Sequence, residues 1–255
     1  AVTVPSIAVR GALVFAVPWG PRVYAGTTDT PYGGPLESPI VEPEDVDAVL
    51  GSLARAFDGD LSSADIRASW AGVRPLLDTG KGSTRDLSRR HVIYEDPPGL
   101  LTVTGGKLTT YRHMAQQVVD RACEIAGAGG RASTRRIALG LTEPYDEAIA
   151  RAVNDAAAAG LPPEAGHRLV ALYGDDWEDV LGLIHERPEL GDEAVPGLPV
   201  LRVELEVAVQ REMALTAEDV LVRRTRLATM DAELAAGVSG PWPAAGVPAE
   251  PRPRN

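Results

Sequence analysis

The chain of 255 residues holds one cysteine and four histidines. None of its apolar runs approaches the roughly 18 residues that cross a membrane. The lone Cys123 cannot close an internal disulfide, which fits a reducing compartment. Its place in a helical stretch reads as a buried, inert thiol. The histidines and the cysteine show no metal-ligand spacing, and His185-Glu186 lacks the second histidine of a zinc helix. There is no G-x-S-x-G elbow. Disulfide-scaffold, membrane-spanning, zinc-enzyme and serine-hydrolase readings therefore lose their usual support. No basic, apolar leader opens the sequence, and Ala1 in place of Met is compatible with a processed or cut N-terminus.

Apolar residues make up 44% of the chain and charged residues 24%, which is ordinary for a globular protein large enough for two domains. The net charge of −11 is unevenly spread. Residues 1–136 carry 15 basic and 15 acidic side chains, whereas residues 137–255 carry 10 and 21. Two electrostatic blocks imply two domains, and the acidic block argues against nucleic-acid binding.

Hydrophobic patterning divides the chain in the same way. β-like runs at Gly11–Trp19 and Arg22–Asp29, joined through Gly20 and Pro21, predict a hairpin-like antiparallel pair. Pro43 opens a helix through Phe57. Further strands are expected at Ile66–Leu76, Arg90–Glu95 and Leu100–Thr104, with a helix over Thr110–Ala126. Beyond Gly127–Gly130 helical periodicity takes over: Pro144–Ala159, Pro163–Tyr173, Trp177–Glu186, Val200–Met213 and Thr216–Met230. Thr216-x-x-Asp219 has the form of a capping box. The tail from Gly237 is rich in Pro, Gly and Ala and is expected to be disordered. The domains expected are thus residues 1–130, a helical 131–236, and the tail 237–255.

Leu100 to Arg112, reading L-L-T-V-T-G-G-K-L-T-T-Y-R, carries the chemistry. A strand ends at Gly105-Gly106, which can adopt φ > 0 and let the backbone approach a flat cofactor closely. A helix beginning near Thr109 would aim unpaired N–H groups and the positive dipole end at the same spot. Lys107 adds a full charge. The stretch is not a P-loop, because Leu101 and Leu108 stand where Gly and Ser/Thr are needed. Gly127-Ala-Gly-Gly-Arg-Ala132 matches G-x-G-x-x-A only formally; it follows a helix and reads as a linker. Two arginines lie in similar settings: Arg74 before Pro75 in A-G-V-R-P-L, and Arg85 in T-R-D after a Gly/Ser loop. Guanidinium forks suit phosphate or carboxylate.

The order G-T-T-D-T (26–30), A-G-V-R-P-L-L (71–77), T-R-D (84–86), G-L-L-T-V-T-G-G-K-L-T-T-Y-R (99–112) and D-V-L-V-R-R-T-R-L (219–227) resembles the FAD-dependent glycerol-3-phosphate dehydrogenases, above all the aerobic, quinone-linked type. The resemblance spans residues 7–236. It implies an α+β fold: an antiparallel substrate-domain sheet, a remnant of an FAD-binding α/β domain, and an all-α C-terminal domain. It implies that Arg74 and Arg85 contact glycerol 3-phosphate. Gly105, Gly106, Lys107, Leu108 and Thr109 would line the isoalloxazine of FAD, with Lys107 as the catalytic residue. Arg223, Arg224 and Arg226 would form structural ion pairs.

Full chemistry would oxidise glycerol 3-phosphate to dihydroxyacetone phosphate and pass electrons to a quinone. The expected location is cytoplasmic, or peripheral to the inner membrane face. The family's opening strand, G-x-G-x-x-G turn and helix, which hold the ADP half of FAD, have no counterpart in these residues. An N-terminal FAD-binding half as a separate partner, and weak FAD affinity alone, are therefore expected. Two alternatives are a non-catalytic remnant or helical interaction module, and an oxygen-using glycerol-3-phosphate oxidase. The helical half is expected to fold alone, and the first half to aggregate or borrow a partner.

Overall fold

The computed structural model describes residues 1–8, 12–74 and 91–242. These fall into two compact units, one of residues 1–30, 40–71 and 140 onward, the other of residues 31–39 and 72–139.

In the first unit, β1 (Val2–Pro5), β2 (Leu13–Trp19) and β3 (Arg22–Gly26) form an antiparallel sheet in that order. Trp19 pairs with Arg22 across a two-residue turn. Gly20 supplies its positive φ of 58° and Pro21 its fixed one, as a tight hairpin requires. Alternation puts Val4, Val14 and Ala16 inward, against Val49 and Leu53 of helix α1 (Pro43–Ala54). Pro43 starts α1 where a missing N–H costs nothing. Buried Ser52 satisfies itself on the Ala48 carbonyl at 2.6 Å and accepts the Ile7 N–H at 3.0 Å.

The helices of this unit are α3 (Tyr145–Ala158), α4 (Pro163–Tyr173), α5 (Trp177–Glu186), α6 (Arg202–Gln210), α7 (Leu227–Met230) and α8 (Ala232–Ala236). Small residues set how closely α3 and α4 approach. Ala148, Ala152 and Ala156 are wholly buried, and a Cβ on Gly166 would stand 2.7 Å from the Ala152 backbone. Trp177, Val180, Ile184, Val203 and Val207 complete the core. Within it, Arg168 grips buried Glu204 through two hydrogen bonds of 2.7 Å. The β2–β3 hairpin belongs to the same body. Trp19 packs on the cluster of Leu198, Leu227 and Met230, and Arg22 pairs with buried Asp231 at 3.0 Å. Val238 and Trp242, at the start of the Pro/Gly-rich tail, also pack against buried residues, and the rest of the tail lies outside the described residues.

The second unit contains β4 (His91–Glu95) antiparallel to β5 (Leu101–Gly105), and helix α2 (Tyr111–Ile125). No residue of α2 is fully buried. Cys123, expected in a core, is half-buried there, because α2 has one thin sheet to pack on rather than two layers.

Two expected elements differ. Residues 66–74 form no strand, and 75–76 lie outside the described residues. The Arg67 carbonyl accepts the Ala232 N–H at 3.1 Å and Trp70 meets Trp19 edge-on at 6.4 Å, so this segment is used against α8 and the end of β2, not in a ladder. The expected helix Thr216–Met230 is interrupted. Thr216 and Asp219 do cap one another reciprocally at 3.1 Å. The chain then winds as a π-helical turn, Asp219–Arg224, and Arg226 turns left-handed at φ 59° before α7.

Candidate active site

The Gly-Gly-Lys corner is built by a strand that ends abruptly. β5 stops at Gly105, which lies opposite His91 in the hairpin. Gly105 and Gly106 then take φ of 74° and 85°, the left-handed region anticipated for this pair. Lys107 returns to extended geometry, a 3₁₀ turn covers Leu108–Thr110, and α2 starts at Tyr111, two residues later than expected. The Lys107 carbonyl accepts both the N–H and the hydroxyl of Thr110, each at 2.9 Å, and this closes the turn.

Gly106 also has a packing duty. A Cβ there would lie 2.5 Å from the Met114 sulfur and 3.2 Å from the His91 Cβ. The second glycine therefore lets the first turn of α2 fold beneath the corner. On the outer side, Lys107, Leu108 and Thr109 are exposed, Leu108 at 88%. No side chain caps α2, and its first turn carries no acidic residue. The Thr110 and Tyr111 N–H groups are spent on the Lys107 and Leu108 carbonyls, so what meets around the exposed apolar side chain is the positive dipole end of the turn and helix together with the Lys107 charge. The residues present fit the reduced, anionic edge of a flavin ring in charge and in apolar character.

Sequence reasoning missed the support under the corner. His91 Nε2 lies 2.5 Å from Gln117 Oε1 and ties β4 to α2. His113 stands edge-on to His91 at 6.2 Å. The register that sets His91 opposite Gly105 was the available signal. Glu95 and Arg121 make a second strand-to-helix tie at 3.1 Å.

Of the two expected phosphate ligands, Arg74 belongs to the same unit and is exposed, in a segment without regular structure. Arg85 lies outside the described residues. The described geometry gathers Gly105 through Thr109 and leaves the arginines' place at the site open. In the R-R-T-R run the expected ion pairing holds for Arg223, with Glu218 and Asp219. Arg224 instead donates Nε to the Glu212 carbonyl at 2.9 Å. Arg226 has no carboxylate partner among the described residues and makes a backbone turn.

Residues 2–121 match the family model described as FAD dependent oxidoreductase. With the corner at the junction, this defines the class as a flavin-linked oxidoreductase. Residues 105–239 match the model of the C-terminal domain of alpha-glycerophosphate oxidase, and the chain belongs to this family of FAD-dependent glycerol-3-phosphate dehydrogenases. The two models overlap from Gly105 to Arg121, across the corner and α2.

Among its relatives, glycerol-3-phosphate dehydrogenase 1 of Mycobacterium tuberculosis (strain ATCC 25618 / H37Rv) is 35% identical over 235 residues, 89% of this chain and 43% of that protein. The aerobic glycerol-3-phosphate dehydrogenase of Staphylococcus aureus (strain NCTC 8325 / PS 47) is 31% identical over 226 residues, 84% of this chain and 40% of that protein. The crystal structure of the glycerol-3-phosphate dehydrogenase from Bacillus halodurans complexed with FAD superposes with a TM-score of 0.70 at 30% identity, over 89% of this chain and 44% of that one. The chain therefore spans about two fifths of the length of the proteins it matches.

Proposed function

We propose that the protein containing this chain oxidises glycerol 3-phosphate to dihydroxyacetone phosphate, with electrons passing to a quinone. The observation that carries the reading is the corner: two left-handed glycines, exposed Lys107 and an uncapped helix start, in the stretch where the two family models overlap. FAD, when bound, supplies the hydride acceptor. Lys107 and the first N–H groups before α2 place positive charge where negative charge develops, the kind of fixed stabilisation that lowers a barrier most. Exposed Leu108 offers an apolar contact to the ring. Arg74 and Arg85 supply guanidinium forks for the substrate phosphate.

In this reading residues 1–130 contribute a substrate-domain sheet and the remaining edge of an FAD-binding α/β domain, and residues 131–236 the helical C-terminal domain. The ADP half of FAD is held by a dinucleotide-binding half of the G-x-G-x-x-G type, in the same protein or as a separate partner. Among the described residues no helix is long and apolar enough to cross a membrane. We place the protein in the cytoplasm or on the inner membrane face, where a quinone is reachable.

The test is dye-coupled oxidation of glycerol 3-phosphate by the protein together with a dinucleotide-binding half. Lys107→Met should lower kcat about 10²-fold with little change in KM. Arg74→Ala and Arg85→Ala should raise KM strongly, and an unchanged KM in both would remove them from the phosphate site. The description of the matching domain as that of an oxidase favours one second reading, oxygen as acceptor. Stoichiometric hydrogen peroxide in air would establish it over the quinone.

A further inference from the structure

In the R-R-T-R run only Arg223 is spent on carboxylates, and the backbone around the run leaves α-helical geometry. The Asp219–Arg224 segment winds as a π-helical turn, a form that recurs at functional sites. Arg226 holds φ at 59°, the left-handed region that strains a residue with a Cβ. The bend contributes Arg223, Arg224 and Arg226 to a cleft of about 210 Å³ whose other polar lining is Tyr173, Glu204 and Glu212.

Most charges around this cleft are committed elsewhere. Arg223 is held by Glu218 and Asp219, and Glu204 by Arg168. Arg224 spends only its Nε, on the Glu212 carbonyl. Uncommitted among the described residues are the terminal nitrogens of Arg224, the whole guanidinium of Arg226 and the Tyr173 hydroxyl. Burial raises the pKa of both Tyr173 and Glu212. Tyr173 therefore stays a donor, while the half-buried Glu212 carboxylate is drawn to Arg224 and must be displaced from it by a bound anion. In a half with 10 basic against 21 acidic residues, three arginines against two glutamates around one cleft are a local reversal of sign.

We propose that this cleft binds a small oxyanion of the phosphate class, held by Arg224, Arg226 and the Tyr173 hydroxyl. The site lies in the helical half, does not depend on flavin, and accepts either free phosphate or the phosphate of a small monoester.

Thermal unfolding of the whole chain, titrated with inorganic phosphate or methyl phosphate at ionic strength held constant with chloride, tests the site. A saturable rise in Tm is expected. Arg226→Gly keeps the left-handed turn and should fold with an unchanged or higher Tm while losing affinity about tenfold. Arg226→Lys should retain part of the binding, and Glu212→Gln should tighten it. Methyl phosphate binding more tightly would identify a monoester as the ligand, and equal binding would identify free phosphate. A phosphate effect that chloride reproduces, or one that Arg226→Gly retains in full, would overturn the proposal.

Discussion

Asp231 joins two distant parts of the chain. Its carboxylate accepts the Leu234 N–H at 3.1 Å, capping α8, and pairs with Arg22 of the hairpin at 3.0 Å. The backbone hydrogen bond, then the Arg22 guanidinium, hold its pKa below the ordinary aspartate value. A depressed folded pKa means stability that is present above the ordinary value and is lost as pH falls through the folded one. Asp231→Asn keeps the cap but not the charge, so it should cost about 1 kcal/mol at pH 7. That difference should shrink in acid denaturation series as pH falls below the ordinary aspartate value. Arg168→Met strands the Glu204 carboxylate in the core and should cost about 3–5 kcal/mol by urea unfolding. A loss below 1 kcal/mol would mean that Glu204 finds water or another donor. Neither ion pair was legible in the sequence, since each joins residues far apart in the chain. The Thr216–Asp219 box was legible, because capping needs only three residues of separation.

Elements whose reasons are local were readable in advance. The spans of α4 and α5 follow from 3.6-residue periodicity and from Pro163 at a helix start. The left-handed glycines of the corner follow from a strand that must turn into a helix. Residues 66–74 show the limit. Their composition favours a strand, but a strand needs a neighbour, and this backbone bonds to α8 instead. Gly106 shows another. Its conformation was expected, whereas its contact with Met114 emerges only when α2 folds back under β5. Gly106→Ala should destabilise the protein by about 1–3 kcal/mol. Adding Met114→Ala should recover part of that loss, and no recovery would leave backbone strain as the whole cost.

For the whole molecule the decisive fact is which segments share a body. Packing joins the β2–β3 hairpin to the helical half through Trp19 and Arg22–Asp231, and the Arg67–Ala232 hydrogen bond joins the segment that follows α1. Proteolytic nicking at Gly127–Gly130 should therefore give two fragments that elute together in gel filtration. Separate elution would mean that the helical half stands alone. The ββα unit has a thinner core, with Val92, Tyr94 and Val103 about half exposed.

By itself the sequence determined most of the helices, the β2–β3 hairpin, the glycine corner and the family, because these depend on neighbours in the chain and on motifs in order. Only the tertiary structure decided that the hairpin joins the helical body, that Met114 and His91 carry the corner, and that the arginine run bends around a cleft. Those features are contacts across the chain, from the short reach between Gly106 and Met114 to the 209 positions between Arg22 and Asp231. Their energy comes from burial and charge pairing that no local window of sequence contains.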